Sequence, residues 1–240
     1  MKETDKTAVA DFYDGFSAQQ EKIGINSRHL QIIDKLMKAG LKPNHKVLEV
    51  GCGIGTVSQL IARFVKKGHV HAVDISPESV AKAKLLWKNL ANLSFEVSDM
   101  TDFHKPSEHY DFFVFPDVLE HIPAADHKPL FEIIQKHSHN ESSIFVHIPD
   151  PRFLKWMIAN EPEKLQVIDQ PLDTGRLVTT VGECGYFLEK MESYSIFYRE
   201  HDYQYFIFRN QRPIQKITHL GKWEILRERV KIKMKFNLLG

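Results

Sequence analysis

Apolar positions in this chain alternate between a helical and an extended period, and that alternation alone predicts most of its elements. Ile25, Ile32, Ile33, Leu36 and Met37 recur at helical spacing, and Gly40 and Pro43 end the run. Lys46–Val50 is a short apolar strand, after which Val57, Leu60, Ile61, Phe64 and Val65 mark one face of a helix from about Thr56. His69–Val73 reads as a second strand. Ser76-Pro77-Glu78 is a helix start, with a hydroxyl cap, a proline in the first turn and an acid beside the dipole. Ser94–Val97 supplies a third strand, and Tyr110–Phe115 is an almost unbroken apolar run suited to a central, doubly covered strand. A helix through Leu130–Ile134 and a strand over Ser142–Ile148 complete the series. Five strand–helix alternations predict parallel strands joined by right-handed crossovers, an α/β doubly wound sheet. Past Pro149-Asp150-Pro151 the pattern changes. Arg152–Gln170 lacks a strict period, Thr174–Cys184 looks helical, and Glu189–Tyr198 and Tyr203–Arg209 read as two strands joined by a short turn.

The densest chemical signal lies between the first strand and its helix, in Glu49-Val50-Gly51-Cys52-Gly53-Ile54-Gly55-Thr56. Glycines here form a tight turn without Cβ atoms, so a ligand can lie against bare backbone with the helix N-terminus facing it. A dinucleotide fingerprint needs glycine or alanine where Thr56 stands. Glu49, two residues before the first glycine, would repel a pyrophosphate and attract an amino group or a ribose hydroxyl. The turn therefore suits a nucleoside carrying a cationic, amino-acid-like arm. It resembles motif I of the class I S-adenosylmethionine (SAM) dependent methyltransferases.

That resemblance spans about residues 10–210 and implies a Rossmann-like seven-stranded sheet, finished by the hairpin, with SAM as cofactor and S-adenosylhomocysteine (SAH) as its product. It implies a cofactor site made of Glu49, Gly51, Cys52, Gly53 and Gly55, with Asp74 and Ile75 after the second strand. Asp99 and Met100, after the third strand, take the place of the acid and apolar neighbour that flank adenine in the family. Tyr13 falls in the N-terminal lid that covers the cofactor in related enzymes, beside a polar face of Gln19, Gln20, Asn26, Arg28 and His29. Cys52 reads as wall, not nucleophile. After the fourth strand comes Pro116-Asp117-Val118-Leu119-Glu120-His121-Ile122, similar to a segment of small-molecule methyltransferases including the ubiquinone-biosynthesis O-methyltransferases. His121 and Asp117 are the catalytic candidates, His121 as the base that removes the acceptor's proton. Packing or helix capping is an equal reading of His121. A lesser reading sets Asp117, Glu120 and His121 around a divalent metal. The segment departs from the Asn/Asp-Pro-Pro-Tyr motif of many enzymes that methylate bases, which argues against DNA as partner. The implied activity is transfer of a methyl group to a hydroxyl or amine of a small molecule. Rivals are SAM binding without transfer, NAD-linked oxidoreduction, and RNA methylation using a basic tail.

Composition adds boundaries. With 32 Lys and Arg against 31 Asp and Glu the chain has no overall pull towards nucleic acid, but residues 211–240 carry +6 and the remainder −5. In that tail Val230-Lys231-Ile232-Lys233-Met234-Lys235-Phe236 alternates apolar and basic residues and reads as an edge strand, with pairing across a homodimer its natural use. Three parts follow: 1–45 as lid and first helix, 46–210 as SAM-binding core with a substrate cap at about 151–172, and 211–240 as basic extension. Two cysteines, no signal-peptide pattern and no transmembrane run place the expectation in the cytoplasm. His137 and His139 are expected at the surface.

Overall fold

Strand β1 (Lys46–Val50) and strand β4 (Tyr110–Pro116) pair in parallel at the centre of the sheet, where nearly every side chain is buried. The period of two along a strand sends alternate residues to opposite faces. Leu48, Phe113 and Phe115 thus join one core, and Val47, Phe112 and Val114 the other. Each such aromatic or branched side chain, fully withdrawn from water, contributes roughly 1.5–3 kcal/mol. In the computed structural model, residues 21–101, 103–105, 107–165, 169–211 and 216–237 are described.

Outward from β1 run β2 (His69–Asp74) and β3 (Leu93–Val97), both parallel. Outward from β4 run β5 (Ser138–Pro149), then β7 (Tyr203–Asn210) and the edge strand β6 (Tyr186–Tyr194), both antiparallel. The order is β3-β2-β1-β4-β5-β7-β6, a seven-stranded sheet of five parallel strands closed by a hairpin, as the sequence pattern and its resemblance imply. Helices α1 (Ser27–Lys38) and α2 (Thr56–Phe64) cover one face through Ile32, Leu36, Val57 and Ile61. Helix α3 (Pro77–Leu86) packs Val80 and Ala83 on Phe95 of β3. The other face is covered by α4 (His127–Lys136) and α6 (Thr174–Glu183), through Phe131, Ile134, Leu177 and Val181.

Departures from the sequence reading have local causes. The aperiodic stretch after β5 contains helix α5 (Pro151–Asn160), capped by Asp150, whose side chain accepts from the Arg152 amide. Only Leu154 and Met157 of α5 are buried, too few to give a stripe. Strand β6 begins three residues before the expected Glu189 because an edge strand exposed on most of its length carries no alternation. The tail is not a strand: Lys222–Asn237 forms a helix, α7, with Lys231 paired to Glu228 one turn away. His137 is buried rather than superficial; its Nε2 accepts from the Lys105 amide at 3.0 Å, and its ring meets Phe103 edge-on. His139 pairs with Asp111 at 3.2 Å. Among the described residues no helix is long and apolar enough to cross a membrane.

Two glycines make a contrasting test of the packing. Gly55 sits at φ +80°, and a Cβ there would lie 2.7 Å from the Phe95 ring. A Cβ on Gly182, inside α6, would meet nothing within 4 Å. Gly55→Ala is expected to lower stability by about 1–3 kcal/mol, and Gly182→Ala to raise it by up to about 1 kcal/mol, in urea unfolding. Equal midpoints for the two variants would refute this account of the turn.

Candidate functional site

The carboxyl ends of β1, β2 and β4 open into one cavity of about 530 Å³. Between β1 and α2 the chain is pinned by the Val73 carbonyl, which accepts from the Gly51 and Cys52 amides at 2.8 and 3.0 Å. Gly51 sits at φ +76°, and a Cβ there would stand 2.4 Å from Val118. Bare backbone is what allows the loop after β4 to close on the turn. Helix α2 starts on Gly55 without a side-chain cap, and Thr56 and Val57 line the cavity at its positive end.

Asp74, at the end of β2, accepts from the Gly53 amide at 2.7 Å and from the Ser76 amide at 2.9 Å. Main chain on both sides fixes this carboxylate against the turn. Ile75 lies next to it in the cavity wall. Past β3, Asp99 accepts from the Thr101 amide at 2.9 Å in a side-chain turn, and Met100 adopts φ +66° with its side chain buried. Both also line the cavity.

Glu49 is the anomaly of this half. It is fully buried, it borders the cavity, and neither carboxyl oxygen has a hydrogen-bond partner among the described residues. Burial, reinforced by the negative charge of Asp74, pushes its pKa up to about 8. The Ser58 hydroxyl approaches and favours the anion without completing a hydrogen bond. Burial likewise raises the Cys52 thiol well above its ordinary range, which disfavours the thiolate.

The other half is built around the loop after β4. Asp117 holds a left-handed backbone, φ +56°. One carboxyl oxygen meets Nη1 of Arg28 at 3.0 Å, and the other meets Nδ1 of His147 at 2.5 Å. Burial alone would raise the Asp117 pKa, but His147 and Arg28 overcome it and hold the acid below its ordinary value. Arg28 is aimed by the capping box of α1, in which Asn26 accepts from the His29 amide and His29 Nδ1 accepts from the Asn26 amide. That second bond needs a neutral imidazole. Burial and the nearby Arg28 charge lower the His29 pKa to about 4, which keeps it neutral.

One turn further, Leu119–His121 forms a short 3₁₀ segment. Glu120 is buried, and its Oε2 has no partner among the described residues. Burial, with Asp117 adding to it, raises the Glu120 pKa well above the ordinary range. His121 places Nε2 at 3.9 Å from Glu120 and Nδ1 at 3.4 Å from Asp169, in the segment between α5 and α6. All three line the cavity, with Phe153, Leu154 and Met157 of α5 as apolar wall.

A family model described as a methyltransferase domain matches residues 47–140. Malonyl-acyl-carrier-protein O-methyltransferase 1 of Ilyobacter polytropus is 31% identical over 102 residues, which is 42% of this chain. The chain is thus similar to methyltransferases in sequence over this stretch and in fold over most of its length. Phosphoethanolamine N-methyltransferase 1 of Arabidopsis thaliana is 36% identical over 86 residues, 35% of this chain. The matched stretch spans 35% of the Ilyobacter protein and 17% of the Arabidopsis one. A crystal structure of magnesium protoporphyrin IX methyltransferase from Synechocystis with bound SAH matches the fold at TM-score 0.69 and 18% identity, covering 86% of this chain and all of that one.

The structure gathers Glu49, Gly51, Cys52, Gly53, Asp74, Ile75, Asp99, Met100, Pro116, Asp117 and His121 at one cavity, while Tyr13 lies outside the described residues. Gly55 supplies the cap of α2 behind them. Asp117 pairs with Arg28 and His147, contacts that tie the loop to α1 and β5. No set of three His, Cys, Asp or Glu converges on a metal position among the described residues. Sequence reasoning missed His147 and Asp169. A histidine inside the apolar run of β5 is a legible sign of a buried partner; Asp169, in the aperiodic cap, gave none.

The state of Glu49 has a measurable consequence. A carboxyl whose pKa rises from 4.5 to about 8 on folding binds more protons when folded, so its contribution to stability falls as pH rises across that window. Glu49→Gln, of the same shape and uncharged, is expected to stabilise the ligand-free protein by about 1–3 kcal/mol at pH 7 and to flatten that slope. Thermal unfolding between pH 5 and 8 measures both, and a destabilised Glu49→Gln would show that the carboxylate has a partner.

Proposed function

We propose that this protein transfers the methyl group of SAM to a hydroxyl or amine of a small organic molecule. The carrying observation is Glu49, a fully buried carboxyl with no hydrogen-bond partner among the described residues, set beside the glycine turn at the wall of the cavity. A group so costly to bury fits a cationic ligand, and the amino group of SAM is one. The cradle fits as well: at Gly51 the space a Cβ would need is already taken by Val118, so backbone alone lines the turn. Glu49 and the turn would hold the amino-acid arm, Asp74 the ribose, and Asp99 with Ile75 and Met100 the adenine. Bound SAM supplies a methyl group already activated on a sulfonium for in-line displacement.

The chain's own tasks are alignment and proton removal. Arg28, Asp117 and His147 fix the loop after β4. His121, facing the same cavity, takes the acceptor's proton as the new bond to carbon forms. The acids Glu120 and Asp169 flank that position, which supports an acceptor that must lose a proton over an anionic carboxylate. Unpaired, buried Cys52 and Cys184 suit a reducing compartment such as the cytoplasm.

Calorimetric titration with SAH, run beside NAD, tests the assignment. SAH is expected to bind and NAD not, and Asp74→Ala to weaken SAH by about 1–3 kcal/mol. An unchanged dissociation constant removes Asp74 from the site. Once an acceptor is found, His121→Ala is expected to slow turnover roughly 10²- to 10⁴-fold with SAH affinity retained. Full activity in that variant returns His121 to a packing role.

A further inference from the structure

We propose that Asp169, contributed by the cap, is the positioning residue for His121: it holds the imidazole proton on Nδ1 and so makes Nε2 the basic nitrogen. The inference rests on the methyltransferase reading above, and concerns a residue to which neither the motifs nor the family comparison assign a role. Asp169 Oδ1 stands 3.4 Å from Nδ1, and both side chains are only 10% exposed. A carboxylate accepts and does not donate, so it selects the ring form that carries hydrogen on the nitrogen facing it. The remaining nitrogen, Nε2, lies towards Glu120 in the wall of the cavity. The separation is longer than a closed hydrogen bond, as is common for catalytic contacts in a ligand-free enzyme.

A second, independent contact makes the pairing specific. The next residue, Gln170, clamps the main chain on both sides of His121. Its amide donates to the Glu120 carbonyl at 3.0 Å, and its side chain donates to the Ile122 carbonyl at 3.0 Å. The cap therefore brackets the 3₁₀ segment and presents an acid to the imidazole between the brackets. The substrate cap is thereby also part of the catalytic machinery: it sets which nitrogen of His121 can accept the proton released on methyl transfer. In the step itself the acceptor's oxygen or nitrogen bonds to the methyl carbon, the carbon–sulfur bond breaks with its electrons going to sulfur, and the proton passes to Nε2.

Two-bond ¹H–¹⁵N correlation spectra of the full chain, labelled at the imidazole nitrogens, read this directly. The chain has 13 histidines, so His121→Gln identifies the resonances. In the wild type, neutral His121 is expected as a single tautomer, with Nδ1 protonated and Nε2 bare. Asp169→Ala is expected to abolish that preference, giving mixed or Nε2-protonated rings, and Asp169→Glu to restore it. Wild-type His121 protonated on Nε2 overturns the proposal, as does an Asp169→Ala spectrum with the Nδ1 proton still in place. Should Asp169→Ala not fold, the wild-type tautomer decides by itself. SAH titration of the same wild-type sample separates the two readings: lack of affinity there removes the methyltransferase assignment, while the tautomer still judges the role of Asp169.

Discussion

The arrangement of the site depends on one buried carboxylate, Asp117, and on the two cations or donors that converge on it. Arg28 reaches it from α1, His147 from β5, and its own backbone is turned into the left-handed region at the end of β4. His147 in turn hydrogen-bonds the Tyr194 hydroxyl of β6 at 2.8 Å and stacks on Tyr203 of β7 at 4.9 Å. One residue thus ties the first described helix to the central loop and the closing hairpin. Such a network is a weak source of net stability, because desolvating the charges costs about what their attraction returns. Its value lies in geometry. Breaking one partner leaves a buried charge alone, at about 3–5 kcal/mol, so alternative positions of the loop are strongly disfavoured. Everything downstream on that loop, Glu120 and His121 included, inherits its place from this node.

Against this satisfied acid stand two that are not. Glu49 and Glu120 are both buried beside the cavity, and among the described residues both leave oxygens without hydrogen-bond partners. Folding a carboxyl into such a place raises its pKa and costs stability, which a purely structural position would have no reason to accept. One borders the glycine turn and the other adjoins His121. The strain at Met100 and Asp117, the two non-glycine residues with positive φ among the described residues, falls on the same cavity.

Much of this was legible in the sequence, because the features that carry it are local. Strand and helix periods located the parallel sheet, since its central strands are buried on both faces and the helices that cover them on one. The glycine turn and its acid were readable because three closely spaced positive-φ positions strongly favour glycine, and because Glu49 departs from what a pyrophosphate site needs. The irregular cap was not readable. Its contacts to the loop run through Asp169, Gln170 and main-chain carbonyls, which leave no apolar period. Nor did the pattern reveal that the acid after β4 is paired. That depends on Arg28 and His147, 89 residues before and 30 after it, and on a sheet order that only folding brings about.

The tail shows how a short alternation misleads. Seven residues of apolar–basic period look like a strand, but a strand needs a partner ladder, and none lies beside residues 230–236 among the described residues. Arg, Glu, Lys, Leu and Met are strong helix formers, and they dominate this segment. Wound into α7, Trp223, Leu226, Val230 and Met234 form one ridge, and Ile225, Ile232 and Phe236 another, with Arg229 and Lys233 between them. All seven apolar side chains stay well exposed. A helix lying on a bilayer or in a two-stranded coil needs one continuous apolar face, and a basic ridge through the middle denies it that face. The alternation that suggested a two-faced strand therefore becomes, at 3.6 residues per turn, a helix with its apolar surface split in two.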